Sequence, residues 1–481
     1  MSYFLGIDQG SHSSRAVLFD AKGNAVEQAA QSIMPERPAY GRVEYQAARL
    51  LDSVEVVVKQ VLDAVGRQNL GQISACGIAT QRSTVLAWDV DGHALGPVLS
   101  WQDVRAADRV EKLHDRAQDI RQLTGLPLTP YYSASKMSWL LEHSEAVRQC
   151  GRKKLRLSPL ISYLLYHLLD NRPYVIDYSN AQRTQLFDID ALTWSEHLCR
   201  WFKIDTDLLP ECKPMRANYG RLSATNIPVT AVCGDQNAAM FGAGKLAQDV
   251  ALVNIGSGAF ILRELDRFSS STRQLTGIAD ANGDGVCYLR EATINGAGNA
   301  LSWAEKQWGI VDLVDKLPAW MQSVTHPPVL INSVGGLGTP WMQGHIATTF
   351  IDSGTYSEAE KAVAIIESIV FMIQANLELM AEEAPLQKLR LSGGLSNLGG
   401  LCQKLSDLSG YRVERSDVTE ASARGAAWLA AGRPQSWNID HTGGSAARFT
   451  PQPAEGLRSR YRRFRTELRR VLEDHQQQET D

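Results

Sequence analysis

Between Asp8 and Arg15 the chain reads Asp8-Gln9-Gly10-Ser11-His12-Ser13-Ser14-Arg15. A carboxylate, several hydroxyls, a flexible glycine and an arginine lie close together. The apolar runs on either side make the stretch a β-hairpin with a Gly/Ser turn. Such a turn suits a polyphosphate held by backbone N–H groups, hydroxyls and Arg15, with Asp8 at the strand end holding a metal through water. A solvated hairpin turn with an incidental Asp and Arg accounts for the stretch alone equally well. A second copy tips the balance. From Ala251 to Leu262 the pattern of strand, Gly/Ser turn and strand returns, with Gly256-Ser257-Gly258 at its centre. Two such hairpins, each heading about half the chain, point to a duplicated domain and a nucleotide in the cleft between the halves.

The elements that must position these turns follow from periodicity. Residues 24–33 extend the first hairpin as a third strand. Leu50, Leu51, Val54, Val58, Val61, Leu62 and Val65 share one face of a helix over 46–65, with Gly66 as its C-cap. A buried strand over 73–79 ends at Thr80-Gln81-Arg82-Ser83, and another follows over 85–88. Strands followed by helices predict an α/β domain, with ligand groups just past the strand ends. Residues 103–225 read as helical and irregular. A strand over 228–232 ends in Cys233-Gly234-Asp235-Gln236-Asn237, and the small residues after it suit a helix and then a hinge near Gly242 to Gly244. A helix over 360–379 is apolar on nearly all sides, hence buried. A short strand over 389–391 runs into Gly393-Gly394, and 419–431 is small and helical.

The totals bound the reading. At 481 residues two domains are the prior, and 44% hydrophobic with 21% charged residues is a globular composition. A net charge of -4 argues against a general nucleic-acid or membrane-surface binder. No run approaches the length of a transmembrane helix, and the N-terminus lacks the layout of a signal peptide. Seven scattered cysteines without a CxxC read as reduced thiols in a cytoplasm. The tail over 457–472 is amphipathic and rich in arginine. It reads as the charged outer face of a docked helix in preference to a nucleic-acid arm.

The ordered set of motifs resembles the FGGY family of carbohydrate kinases, most closely the glycerol kinases within it. The matching stretches include Gly6 to Gly10, Gly41 to Glu44, Gln81-Arg82, Trp101-Gln102, Tyr131 to Lys136, Asp177 to Thr184, Gly234 to Gln236, Gly256 to Phe260, Gly336 to Pro340 and Gly393-Gly394. The resemblance implies a duplicated ribonuclease-H-like fold, shared with actin and the heat-shock ATPases, with domains over 1–242 and 243–481 and a central cleft. It implies phosphoryl transfer from ATP, with Mg²⁺, to a hydroxyl of a small polyol or sugar. Ser11, His12, Ser13 and Arg15 would hold the β- and γ-phosphates, Asp8 would position Mg²⁺, and Gly256, Ser257, Gly298 and Gly394 would face the nucleotide from the other half. Asp235 looks like the general base; the plainer alternative is an N-cap for the helix after it. Arg82, Ser83, Trp101, Tyr131, Asp235, Gln236 and Phe260 match the acceptor-binding positions.

Three departures from the glycerol kinase pattern stand out. Ser83 replaces a Glu, which removes a substrate carboxylate and makes room for an acceptor larger than glycerol, with Asp103 the nearest compensating carboxylate. On the adenine side Leu398 aligns with an Asn, Asn397 falls one place early, and Ser302 replaces a Gln. His12 replaces a Thr and can still donate to phosphate. The alternatives are a ketose kinase of the same fold and a non-catalytic, nucleotide-gated sugar sensor. Against the sensor stand Asp235, Arg82 and Trp101. A homo-oligomer is left open.

Overall fold

A computed structural model describes residues 2–344, 346–416, 418, 420–438 and 447–480. Two mixed β-sheets dominate it. In the first, Ala25–Ser32, Ser13–Phe19 and Tyr3–Gln9 lie antiparallel in succession. Ile73–Thr80 and Pro228–Gly234 then continue parallel, and Arg216–Arg221 closes the edge antiparallel. In the second, Gly285–Ile294, Ala259–Leu265 and Val250–Ile255 are antiparallel, Lys388–Ser392 and Arg412–Arg415 parallel, and Arg448–Phe449 antiparallel. The two patterns coincide strand for strand, and the second adds Leu275–Asn282 outside Gly285–Ile294. This is the duplication that the twin hairpins point to, in the ribonuclease-H-like arrangement that the family resemblance implies.

The periodicities locate the covering helices. The helix Ala47–Val65 buries Leu50, Val54, Val58, Val61 and Leu62 and ends at Gly66. The helix Glu358–Glu383 starts from a capping box between Ser357 and Glu360. It is the one helix among the described residues long and apolar enough to cross a membrane, and 89% of that window is buried inside the fold. It is therefore a core element of the second half.

The first sheet is covered by a helix from the far end of the chain. Ala421–Ala430 lies on its central strands so closely that a Cβ on Gly6 would fall 2.1 Å from the Ala423 carbonyl oxygen, and one on Gly77 2.0 Å from that of Ala426. Backbone touches backbone there, so the small residues of this helix are dictated by distance. Thr419, read with it, lies outside the described residues. The expected hinge is packed: a Cβ on Gly242 would fall 2.8 Å from Ala421.

The 103–225 region contains more strand than its pattern suggests. Val85–Asp89 pairs with Leu155–Pro159 in a separate four-stranded sheet. The tail forms the helix Glu455–Thr480. Leu457, Tyr461, Phe464 and Leu468 are buried against the second core, and each such side chain contributes about 2 kcal/mol. Arg460 binds Glu367 through two 2.7 Å bonds, and Arg463 and Arg465 pair with Asp352 and Glu378. Its cations are largely occupied by the protein's own carboxylates.

Candidate active site

The strands Tyr3–Gln9, Ile73–Thr80 and Pro228–Gly234 run parallel, with Asp8 beside Ala79 and Gly234 beside Thr80. Their ends therefore deliver Asp8, Gln81-Arg82 and Asp235 to one edge of the sheet, where a doubly wound fold places its ligands.

The first turn is tight, with Gly10 N–H donating to the Ser13 carbonyl at 2.9 Å. It is tied to neighbouring segments by side chains. Tyr45 OH donates to the Ser11 carbonyl at 2.8 Å, and the Trp101 indole N–H donates to Ser11 Oγ at 2.9 Å. Gln81 Nε2 donates to Gln9 Oε1 at 3.1 Å and to the Gly10 carbonyl at 3.3 Å. Across the hairpin Arg15 lies 3.9 Å from Asp8 and 3.3 Å from Glu420. Ser13 is half-buried beside it, and His12 is exposed at the tip.

Asp8 is buried, and its Oδ1 has no hydrogen-bond partner among the described residues. Burial pushes its carboxyl up to about 7; the Asp235 charge adds to this, Arg15 opposes it and Glu420 adds again. A buried carboxylate oxygen with no donor fits a hard divalent cation such as Mg²⁺.

Asp235 is the first residue of the helix Asp235–Met240, whose N-cap is Gly234 with no side-chain cap bond. The capping alternative therefore fails. Asp235 Oδ1 accepts from Gln236 N–H at 2.7 Å and stands 3.7 Å from Arg82 Nε. Burial raises its pKa, Arg82 and the Gln236 bond lower it, and Glu291 raises it. Beside it Gln236 Oε1 is buried without a partner among the described residues. Trp101 is 37% exposed and Tyr131 47%. The Tyr131 carbonyl accepts from the buried Lys136 ammonium at 2.6 Å, and burial pushes that ammonium down to about 7.

The second turn is built from backbone. Gly256 N–H donates to Gly258 C=O at 2.8 Å, Gly298 N–H to Gly256 C=O at 3.0 Å and Asn299 N–H to Ser257 C=O at 2.8 Å. A Cβ on Gly298 would meet the Gly256 carbonyl at 2.7 Å, whereas one on Gly394 would meet open space. Phe260 sits opposite Thr293, and Leu262 opposite Glu291. Phe260 and Glu291 thus share the face of the second sheet that meets Arg82. Ser302 and Asn397 are exposed, while Leu398 is buried.

Two expectations need correction. Ser83 is 5% exposed with φ 64°, and its Oγ donates to the Arg183 carbonyl at 3.1 Å. Its hydroxyl is thus turned into the protein. Asp103 is no substitute carboxylate either, since it accepts from Val43 N–H and holds Arg105 at 2.7 Å. The carboxylate on Arg82 is Glu291, at 3.2 and 3.3 Å, with Arg183 on the same carboxylate. Neither Glu291 nor its role was visible in any local motif. Arg183 belongs to the motif from Asp177 to Thr184, but only the fold brings it to Glu291, 108 positions away.

The first part of the chain, 3–242, matches the model of the N-terminal domain of the FGGY family of carbohydrate kinases, and 251–432 matches its C-terminal domain. A glycerol kinase of Geobacter sp. (strain M21) is 32% identical over 488 residues, covering 96% of this chain and 97% of its own. One of Cereibacter sphaeroides (strain ATCC 17025 / ATH 2.4.3) is 34% identical over 451 residues, covering 89% and 90%. Among solved structures, Plasmodium falciparum glycerol kinase with ADP superposes with a TM-score of 0.86 at 24% identity, covering 98% of each chain. Xylulose kinase from Rhodospirillum rubrum superposes with a TM-score of 0.87 at 20% identity, covering 98% and 99%. These two establish the fold. The matched domains and the full-length relatives establish that this chain belongs to the FGGY family of carbohydrate kinases.

Proposed function

We propose that this protein transfers the γ-phosphoryl group of ATP to a hydroxyl of a small polyol or sugar, with glycerol the leading acceptor. The observation that carries the reading is the convergence of Asp8, Arg82 and Asp235 on one sheet edge, beside a turn of donors around Ser11. Ser11, His12, Ser13 and Arg15 bind the β- and γ-phosphates. Gly256 and Ser257 contact phosphate from the other half, and Gly298 and Gly394 lie near the nucleotide. Asp8 holds Mg²⁺, which when bound neutralises phosphate charge. Arg82 and Gln236 bond the acceptor's hydroxyls, while Trp101, Tyr131 and Phe260 lie along its carbon chain. Asp235 accepts the hydroxyl proton as the new P–O bond forms. Its raised pKa makes it a better base than an exposed carboxylate.

The same reading divides the chain into 1–242, with the acceptor and the first phosphate turn, and 243–481, with the nucleotide side. It places the enzyme in the cytoplasm. A ketose acceptor is the second reading, because Ser83 brings no carboxylate to the pocket. ADP release with a panel of polyols and ketoses tests both. Acceptor-independent ADP release across the whole panel, with no phosphorylated product, would overturn the kinase reading in favour of a nucleotide-gated sensor.

A further inference from the structure

Arg82 is held from outside its own half. Both ends of its guanidinium fork meet Glu291, with Nη1 3.2 Å from Oε2 and Nη2 3.3 Å from Oε1. Nη1 also donates to Asn237 Oδ1 at 3.2 Å, and Arg183 donates to Glu291 Oε2. The Glu291 side chain is 1% exposed and that of Arg82 10%. Arg82 and Arg183 lie in the segment matching the N-terminal domain, and Glu291 in the segment matching the C-terminal domain. Gripped this way, Arg82 presents only Nε to Asp235, at 3.7 Å. That is too long for a hydrogen bond. The stem of Arg82 crosses Gly234, where a Cβ would fall 2.5 Å from its Cδ. The guanidinium therefore has Asp235 as the nearest other anion.

We infer that Glu291 is a positioning residue of the acceptor site: by gripping both ends of the Arg82 fork it holds that cation off Asp235 and leaves the Asp235 carboxylate free for the acceptor's hydroxyl. The physical reason is that a buried guanidinium does not stay unpaired. Without Glu291 it closes on Asp235 as a charge-assisted pair, and both the base and the hydroxyl-binding cation are lost to each other. The inference rests on the reading of Asp235 as the base.

The test compares Glu291→Gln with Arg183→Gln by crystallography and by kinetics with glycerol and D-xylulose as acceptors. Each variant removes the buried Arg183–Glu291 pair, but only the first releases Arg82. In crystals of Glu291→Gln, Arg82 Nε is expected within about 3 Å of Asp235. The acceptor KM is expected to rise about tenfold and kcat to fall about tenfold, with the nucleotide KM unchanged. Arg183→Gln is expected to stay within about threefold of wild type in each constant. A purely structural Glu291 would make the two variants alike, lowering thermal stability and leaving the acceptor KM unmoved; that result overturns the inference. Should Glu291→Gln not fold, Glu291→Asp keeps the charge on a stem too short to grip both ends, and the same measurements apply to it. If wild type phosphorylates neither acceptor, the proposed function is what fails. The crystal structures then still decide this inference, and Arg82 unmoved overturns it.

Discussion

The two Gly/Ser turns share one strand pattern and fill it in opposite ways. The first, around Gly10, is crowded with side chains: Asp8 and Arg15 across the hairpin, Ser11 under the Trp101 indole, and Gln81 bracing the backbone. The second, around Ser257, is bare: Gly256, Gly258, Gly298 and Gly393 meet backbone to backbone. The first turn presents charges held at a cost in desolvation, and the second presents closely packed backbone that depends on shape. Under the proposed function the duplicated fold divides the labour, with Asp8 and Asp235 beside the first sheet and a backbone-lined surface for the nucleotide beside the second.

The sharpest break in this comparison falls on the first half. Asp235→Asn is expected to lower kcat by roughly 10²- to 10⁴-fold while nucleotide binding stays nearly intact, as general-base loss does. Rapid-quench turnover beside calorimetric nucleotide binding measures both. A variant retaining more than about a tenth of wild-type turnover removes Asp235 from the mechanism.

Asp8 tests the cost of the side-chain strategy. Its carboxyl titrates at about 7 in the folded protein, against 3.8 as the ordinary value. The folded state therefore binds a proton more tightly than the unfolded state. The stability this group contributes is fully present below about pH 4 and is lost as pH rises to about 7. Asp8→Asn should abolish that slope and raise Tm by roughly 3 °C at pH 8 without divalent cation, while lowering turnover about a hundredfold. Thermal melts from pH 5 to 8 decide it, and an unchanged slope in the variant would show that Asp8 is not the titrating group.

The second turn should respond to shape alone. A Cβ at Gly258 would fall 2.8 Å from the Ile294 carbonyl oxygen. Gly258→Ala is therefore expected to displace the turn and raise the nucleotide KM about tenfold, the worth of one hydrogen bond to a charged group. The acceptor KM and the pH profile should not move. A shift in either would mean that the second turn also touches the acceptor.

How far the sequence carries depends on the same contrast. The hairpins and the helix Ala47–Val65 were legible because each buries a periodic set of side chains within one element, and the helix Glu358–Glu383 because it is apolar on nearly all sides and buried without a break from Ala362 to Leu377. The grouping of Asp8, Arg82 and Asp235 followed from their places at strand ends. Glu291 was not legible, because its meaning lies in a contact across 209 residues that no local pattern encodes. Of the sheet built on Val85–Asp89 and Leu155–Pro159, the first strand was read over 85–88 and the second was missed for a related reason. Leu155–Pro159 runs straight into the helix Leu160–Leu168, so no alternation accumulates. The small residues of Ala421–Ala430 suggested a helix, but its docking onto the first sheet instead of the second depends on close contacts at Gly6 and Gly77.

The smallest effect is expected at Ser83, where sequence and structure disagree most. By sequence its hydroxyl faces the acceptor in place of a carboxylate. In the structure the side chain is buried and Oγ donates to the Arg183 carbonyl. If that bond is all Ser83 provides, Ser83→Ala leaves an unmatched carbonyl and costs about 1 kcal/mol of stability. That is a fall of roughly 1–2 °C in Tm for a chain of 481 residues. The acceptor contacts are untouched, so kcat/KM for glycerol and for D-xylulose should stay within about threefold of wild type. A residue that bonded the acceptor directly would behave otherwise: losing one hydrogen bond to a buried hydroxyl would cost about 1 kcal/mol in transition-state binding, about a fivefold loss at the least, and unequally for the two acceptors. Melting curves and paired kinetics separate the cases. A loss of tenfold or more for either acceptor, with Tm unchanged, would return Ser83 to the pocket and place the acceptor deeper, toward Arg183.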